Sequence, residues 1–186
     1  MSVRAFVALE LSEPAKAGIL CVIDELRGRG VRASWSRVST IHLTLRFLGD
    51  VEESELPDVV DAVRAAARTV PPFTMRTKGL GAFPSPRRPR VFWAGIEGPD
   101  ELYGLRDAIE DGVVQLGFER ERRRFHPHVT LGRLRDSTPD AGELLTGLSV
   151  PVEATDVTAV RVMRSTLAPS GARHDVVEEL PLGGPS

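Results

Sequence analysis

His42-Leu43-Thr44-Leu45 and His128-Val129-Thr130-Leu131 are two copies of His-x-Thr-Leu, 86 residues apart (128 less 42). Imidazole titrates near neutrality, at roughly pH 6.5 when unperturbed, so a pair can hold one proton donor and one proton acceptor together. In an extended strand residues i and i+2 share a face. His42 therefore points with Thr44 and His128 with Thr130, while Leu43, Leu45, Val129 and Leu131 turn the other way. A phosphate between two such pairs meets hydroxyl donors on its non-bridging oxygens and an imidazole on each side. In-line displacement at phosphorus wants a base on the entering oxygen and an acid on the departing one, so this is equipment for acid–base chemistry on a phosphoester without a metal. A single His-x-Thr in a strand is ordinarily structural. The recurrence in one register is what argues for catalysis.

The register extends beyond the motifs. The same offset carries Arg4-Ala5-Phe6-Val7-Ala8 onto Arg90-Val91-Phe92-Trp93-Ala94 (90 less 4). Two phrases recurring together indicate a duplicated unit: a single domain over residues 1–186, built of two similar lobes that face one cleft. Apolar patterning predicts strands over 4–9, 31–38, 41–48, 73–80, 91–96, 128–134, 155–163 and 174–180. It predicts helices from the Ser12 cap to Gly28, over 53–68, where Pro71-Pro72 bars extension, over 102–116, and briefly over 141–148. Residues 79–90 read as a Gly/Pro/Arg loop and 183–186 as a disordered tail. The loops before both histidine strands are short, which favours mixed or antiparallel sheets with outer helices, an α+β fold. Gly79-Leu80-Gly81 does not open a dinucleotide-binding turn, and no Walker sequence is present.

The 186 residues, 41% apolar and 27% charged, have the composition of an ordinary globular domain. No apolar run approaches the ~20 residues that span a bilayer, and the N-terminus is charged too early for a signal peptide. Cys21 is the only cysteine, which excludes an internal disulfide and a cysteine-rich metal site. A cytoplasmic monomer is the default expectation. Net charge is −2, yet of 24 basic residues only Lys16 and Lys78 are lysines. Codon bias explains the arginines as well as phosphate binding does. Two clusters, Arg87, Arg88 and Arg90, then Arg120 and 122–124, are candidates for RNA-backbone contact or for plain solvated loops. His126 precedes His128 by two, but Pro127 interrupts the ladder and no acidic residue flanks the pair, so a rim position is favoured over metal ligation. His174 reads as a solvated loop residue after Gly171-Ala172-Arg173 and Cys21 as core; Trp35 and Trp93 are candidates for stacking on bases, but their apolar strand contexts favour core.

The chain resembles the 2H phosphoesterase superfamily, and within it the RNA 2′,3′-cyclic phosphodiesterases historically called 2′-5′ RNA ligases. The resemblance rests on Arg4-Ala5-Phe6-Val7-Ala8-Leu9, on Ile41-His42-Leu43-Thr44-Leu45-Arg46-Phe47-Leu48-Gly49, on Leu80-Gly81-Ala82-Phe83-Pro84, and on Phe125-His126-Pro127-His128-Val129-Thr130-Leu131-Gly132-Arg133. It implies a bilobal fold of two pseudo-symmetric sheets around a central cleft. The implied activity is hydrolysis of RNA-terminal 2′,3′-cyclic phosphate to a 2′-phosphate, with no metal or other cofactor and with RNA ends or tRNA fragments as partners. His42 falls on the acid that protonates the 3′-oxygen and His128 on the base that activates water, although near-symmetry leaves the reverse open. Thr44 and Thr130 fall on phosphate-binding hydroxyls, and Arg133 and Arg46 on substrate contacts. Phe47 lines the nucleoside side if it turns outward; its alternation predicts core. Reversible 2′-5′ joining of tRNA halves, or an RNA-binding module with a vestigial pocket, are the alternatives.

Overall fold

In the computed structural model, which describes residues 1–135, 141–168 and 171–183 (side chains at 167, 168 and 171 excepted), two antiparallel sheets carry the chain. The elements run β1 (Ser2–Leu9), α1 (Glu13–Gly28), β2 (Ala33–Trp35), a 3₁₀ turn (Val38–Thr40), β3 (Leu43–Glu52), a second 3₁₀ turn (Glu53–Glu55) and α2 (Leu56–Ala67). They continue with β4 (Phe73–Ser85), β5 (Arg88–Glu97), α3 (Asp100–Gln115), β6 (His128–Leu134), α4 (Ala141–Leu145), β7 (Ala154–Val157), β8 (Ala159–Ala168) and β9 (Gly171–Pro181). One sheet has the order β3-β1-β8-β9 and the other β2-β6-β5-β4-β7. Residues 184–186, in the tail expected to be disordered, lie outside the described residues.

Three adjacent strands of each sheet match. The 86-residue offset maps β1 onto β5 and β3 onto β6, and it also carries the start of β4 at Phe73 onto the start of β8 at Ala159. The runs β3-β1-β8 and β6-β5-β4 are therefore equivalent, and each contains one strand donated by the other half of the chain. This exchange interlocks the halves, so neither sheet can assemble without both.

Local sequence explains the elements and their departures from expectation. Ser12 caps α1, its Oγ accepting from the Ala15 amide at 3.4 Å, and Pro14 occupies the first turn, where its missing N–H costs nothing. The buried stripe of α1 is Ala15, Ile19, Val22, Ile23 and Leu26. Cys21 was expected inside but is exposed, because Ala17, Cys21 and Asp24 fall at i, i+4 and i+7 on the opposite face. The strand expected over 31–38 shrinks to Ala33–Trp35: beyond it the Ser36 amide turns to the Leu131 carbonyl (2.8 Å) and a 3₁₀ turn begins. Residues 79–90, expected as a loop, instead belong mostly to the β4–β5 hairpin, with pairing from Arg76↔Glu97 to Ser85↔Arg88. The stretch 155–163 divides into β7, at the edge of one sheet, and β8, inside the other.

Candidate active site

Both histidine motifs carry the same irregularity. Val7 pairs with Arg46 and Ala8 with Thr44, which leaves Leu45 as an extra residue on β3. Phe92 pairs with Gly132 and Trp93 with Thr130, which leaves Leu131 as the extra residue on β6. Leu45 and Leu131 are equivalent at the 86-residue offset, so each copy has a β-bulge directly after its threonine. A bulge inverts the facing of the residues that follow it, on β3 as far as a second shift that leaves Leu48 unpaired between Phe47 and Gly49.

That inversion rearranges the expected site. Unbroken alternation places Arg46 with Thr44 and sends Phe47 to the core. In the structure Arg46 pairs with Val7 on the core side, and its Nε lies 2.8 Å from Glu110 Oε2 of α3. Its remaining donors reach the carbonyls of Phe47 and Glu119. Arg46 is thus a brace between β3 and α3 and is not among the residues lining the cleft. Phe47 turns out instead, 47% exposed, and lines the cleft with Arg4 over its ring at 5.4 Å. Its equivalent in the second copy is Arg133, which also lines the cleft. The same position thus offers an aromatic face on one side and a guanidinium on the other.

His42, Thr44, His128 and Thr130 line this one cleft of about 700 Å³. The His42 ring lies between aromatic neighbours: Phe6 stacks on it at 4.9 Å, and His174 meets it edge-on at 5.1 Å. Burial, with a smaller contribution from His174, pushes the His42 pKa down from 6.5 to about 4. His174, expected in a solvated loop, stands on β9 opposite Ser165 and lines the cleft. Only the strand pairing, invisible in sequence, brings it there.

His128 is held differently. Its Nδ1 lies 2.6 Å from the His126 carbonyl oxygen. A carbonyl can only accept, so Nδ1 carries the hydrogen and the neutral ring keeps its lone pair on Nε2. Burial lowers the His128 pKa, opposed by that hydrogen bond. Phe83 packs edge-on against the ring at 5.0 Å and Trp93 lies at 6.4 Å. Trp93 lies over Gly81, where a Cβ would stand 2.2 Å from the indole, and Trp35 lies likewise over Gly132. Neither tryptophan is fully buried: Trp35 lines the cleft, and Trp93 lines, with His126, a second cavity that His128 does not line.

One consequence concerns stability. The unfolded His42 binds a proton below pH 6.5, whereas the folded residue resists protonation until about pH 4. The folded state is therefore progressively disfavoured as pH falls through that window, by roughly 3 kcal/mol. Denaturant unfolding between pH 7 and 4 should show this loss, and a His42→Phe variant should show a smaller one. Equal slopes in the two proteins would contradict the buried, neutral His42.

The cleft is positively charged despite the chain's net charge of −2. Arg27, Arg37, Arg133 and Arg135 line it, together with three histidines and, among the described residues, no acidic one. The arginine clusters picked from sequence lie elsewhere: none of Arg87, Arg88, Arg90, Arg120, Arg122, Arg123 or Arg124 lines the cleft. Arg120 pairs with Asp111 at 2.7 Å and Arg123 with Glu121 at 3.0 Å. Among the described residues no group of three or more His, Cys, Asp and Glu is arranged to hold a metal, and no helix is long and apolar enough to cross a membrane.

Residues 13–168 match the family model of the 2′-5′ RNA ligase superfamily. Curated relatives named RNA 2′,3′-cyclic phosphodiesterase include one from Thermotoga maritima, 32% identical over 97% of this chain and 96% of its own. Another, from Methanothermobacter thermautotrophicus, is 34% identical over 96% of this chain and 98% of its own. Among solved structures, a Thermus thermophilus protein superposes with a TM-score of 0.83 at 30% identity, covering 98% of this chain and 100% of that one. Apo LigT of E. coli shares the fold, with a TM-score of 0.78 at 22% identity, over 98% of both chains.

Proposed function

Because this chain belongs to the 2′-5′ RNA ligase superfamily, we propose that it opens RNA-terminal 2′,3′-cyclic phosphate to a 2′-phosphate, with His42 as proton donor and His128 as proton acceptor. It is an enzyme, an RNA 2′,3′-cyclic phosphodiesterase of the 2H phosphoesterase type. The observation that carries the finer reading is the convergence of both His-x-Thr pairs on one arginine-lined cleft. Thr44 and Thr130 donate to the non-bridging oxygens, and Arg133 offsets the charge that develops on them. His128 Nε2, left with its lone pair, takes a proton from water as its oxygen attacks phosphorus. The P–O3′ bond breaks on the opposite side, and His42 delivers its proton to the departing 3′-oxygen. The phosphate stays on the 2′-oxygen. The reading includes RNA ends as partners, one domain of two duplicated lobes, supported by the matching strand orders, and a monomer in the cytoplasm.

A proton donor whose pKa is about 4 is empty at neutral pH, so substrate must load it. A cyclic phosphodiester brings one negative charge. At ~4 Å and an effective dielectric of ~20 that charge favours the imidazolium by roughly 4 kcal/mol, about 3 pKa units. Binding therefore moves His42 to near neutrality and draws in a proton from solvent. NMR titration of the His42 ring, without ligand and with saturating 2′-phosphate product, should show this rise. A value that stays near 4 with product bound would assign the donor role to His128 instead. The reaction itself is tested by incubating the protein, chelator present, with a cyclic-ended RNA oligomer. The expected product carries a 2′-phosphate, and a 3′-phosphate would overturn the choice of leaving group.

A further inference from the structure

The charge in the cleft lies on one wall. Arg27 ends α1, Arg37 follows β2, and Arg133 and Arg135 lie in and just after β6, so all four come from the α1, β2 and β6 side. The facing wall, from β1, β3, β8 and β9, offers Phe6, Phe47, Ser165, Ala172 and His174, and the guanidinium of Arg4 in β1 sits over the Phe47 ring rather than among the described residues that line the cleft. A 2′,3′-cyclic mononucleotide carries a single negative charge, which Arg133 with the two threonines already serves. The further arginines exceed what such a ligand needs.

Spacing gives the excess a direction. Arg133 and Arg135 are two residues apart, both exposed, and the ladder continues past β6 through the Arg135 amide bonded to the Arg32 carbonyl at 3.3 Å. They therefore share a face about 7 Å apart, the reach from one phosphodiester to the next along a single strand. Arg135 Nε is steadied by Ser34 Oγ at 3.4 Å, on the neighbouring strand. Beside it, Arg27, paired with Asp24 at 2.9 Å, lies 5.9 Å above the Trp35 ring and makes a flat cationic wall.

We propose that the β2–β6 wall is a subsite for the nucleotide preceding the cyclic end, with Arg135 holding the phosphodiester that joins it to the terminal nucleotide. This rests on the phosphodiesterase reading and narrows it: the substrate is an oligonucleotide of at least two residues, entering along β6 with its terminal base toward Phe47. The Arg27–Trp35 wall supplies the surface on which the penultimate base rests.

The test compares a cyclic-ended trinucleotide with a 2′,3′-cyclic mononucleotide, in the unmodified protein and in Arg135→Gln. Kinetics are taken across a salt series, with melting curves to confirm that this exposed substitution leaves the fold intact. The unmodified protein should favour the trinucleotide by ~10-fold or more in kcat/KM, the scale of one charged hydrogen bond. Arg135→Gln should remove most of that preference and reduce the salt slope for the trinucleotide by about 0.7. Mononucleotide turnover should stay unchanged. Equal treatment of the two substrates by the unmodified protein, or an equal loss on both in the variant, overturns the subsite. If the unmodified protein hydrolyses neither, the phosphodiesterase reading itself fails, a separate result.

Discussion

Alanine at either His42 or His128 should lower kcat/KM for a cyclic-ended RNA by ~10³-fold, with melting temperature nearly unchanged. Positioned proton transfer contributes on the order of 10²–10⁴-fold, and each residue supplies one of the two transfers. The double variant should be little worse than the poorer single one, because groups acting in one step are not additive. The two losses need not be equal. His174 lines the same cleft, 5.1 Å from the His42 ring, so its imidazole can move toward the vacated space and recover part of the donor role. His126 lines the other cavity, not the cleft, and is bound through its carbonyl to the ring it would have to replace. His42→Ala should therefore retain more activity than His128→Ala, and adding His174→Ala should remove the difference. Retention of activity within ~10-fold of the unmodified protein in either single variant would take the two-histidine mechanism away.

Much of this was legible because the chain states it twice. One offset found both histidine strands, and strand alternation put His42 with Thr44 and His128 with Thr130, where the cleft has them. What failed has physical causes. Period-two reasoning runs correctly up to Thr44 and fails at Leu45, because an extra strand residue is a property of the pairing with β1, not of β3 alone. The misplacement of Arg46 and Phe47 follows from that one bulge. His174 lacked any local signal, since Gly171-Ala172-Arg173 looks like a turn until β8 supplies a partner. The arginine clusters misled because density along the chain was read as density in space. The arginines that line the cleft lie at 27, 37, 133 and 135, and these separate stretches meet only through α1, β2 and β6.

Glu110→Ala should be the most destabilising single change outside the apolar core. Glu110 is 1% exposed, forms ion pairs with Arg46 (Nε at 2.8 Å) and Arg106 (3.6 Å), and accepts the Glu121 amide at 2.8 Å. Both guanidinium groups are largely enclosed, so removing the carboxylate strips Arg46 of its closest counter-charge, leaves Arg106 with Asp107 alone and leaves an amide without an acceptor. Breaking such a pair costs about 3–5 kcal/mol, which for a domain of this size lowers Tm by roughly 6–20 °C. Glu110→Leu combined with Arg46→Leu should recover part of the loss, since apolar packing can replace an intact buried pair. Arg46→Ala separates the two roles considered for that residue: a brace lowers Tm and leaves KM close to its original value, whereas a substrate ligand does the reverse. The pair also ties β3, which carries Thr44, to a helix of the second half of the chain. Loosening it frees one wall of the cleft to shift, and kcat should fall several-fold below the melting transition. A Tm drop under ~3 °C in Glu110→Ala would show the two arginines finding water, and the brace would then be ornamental to stability.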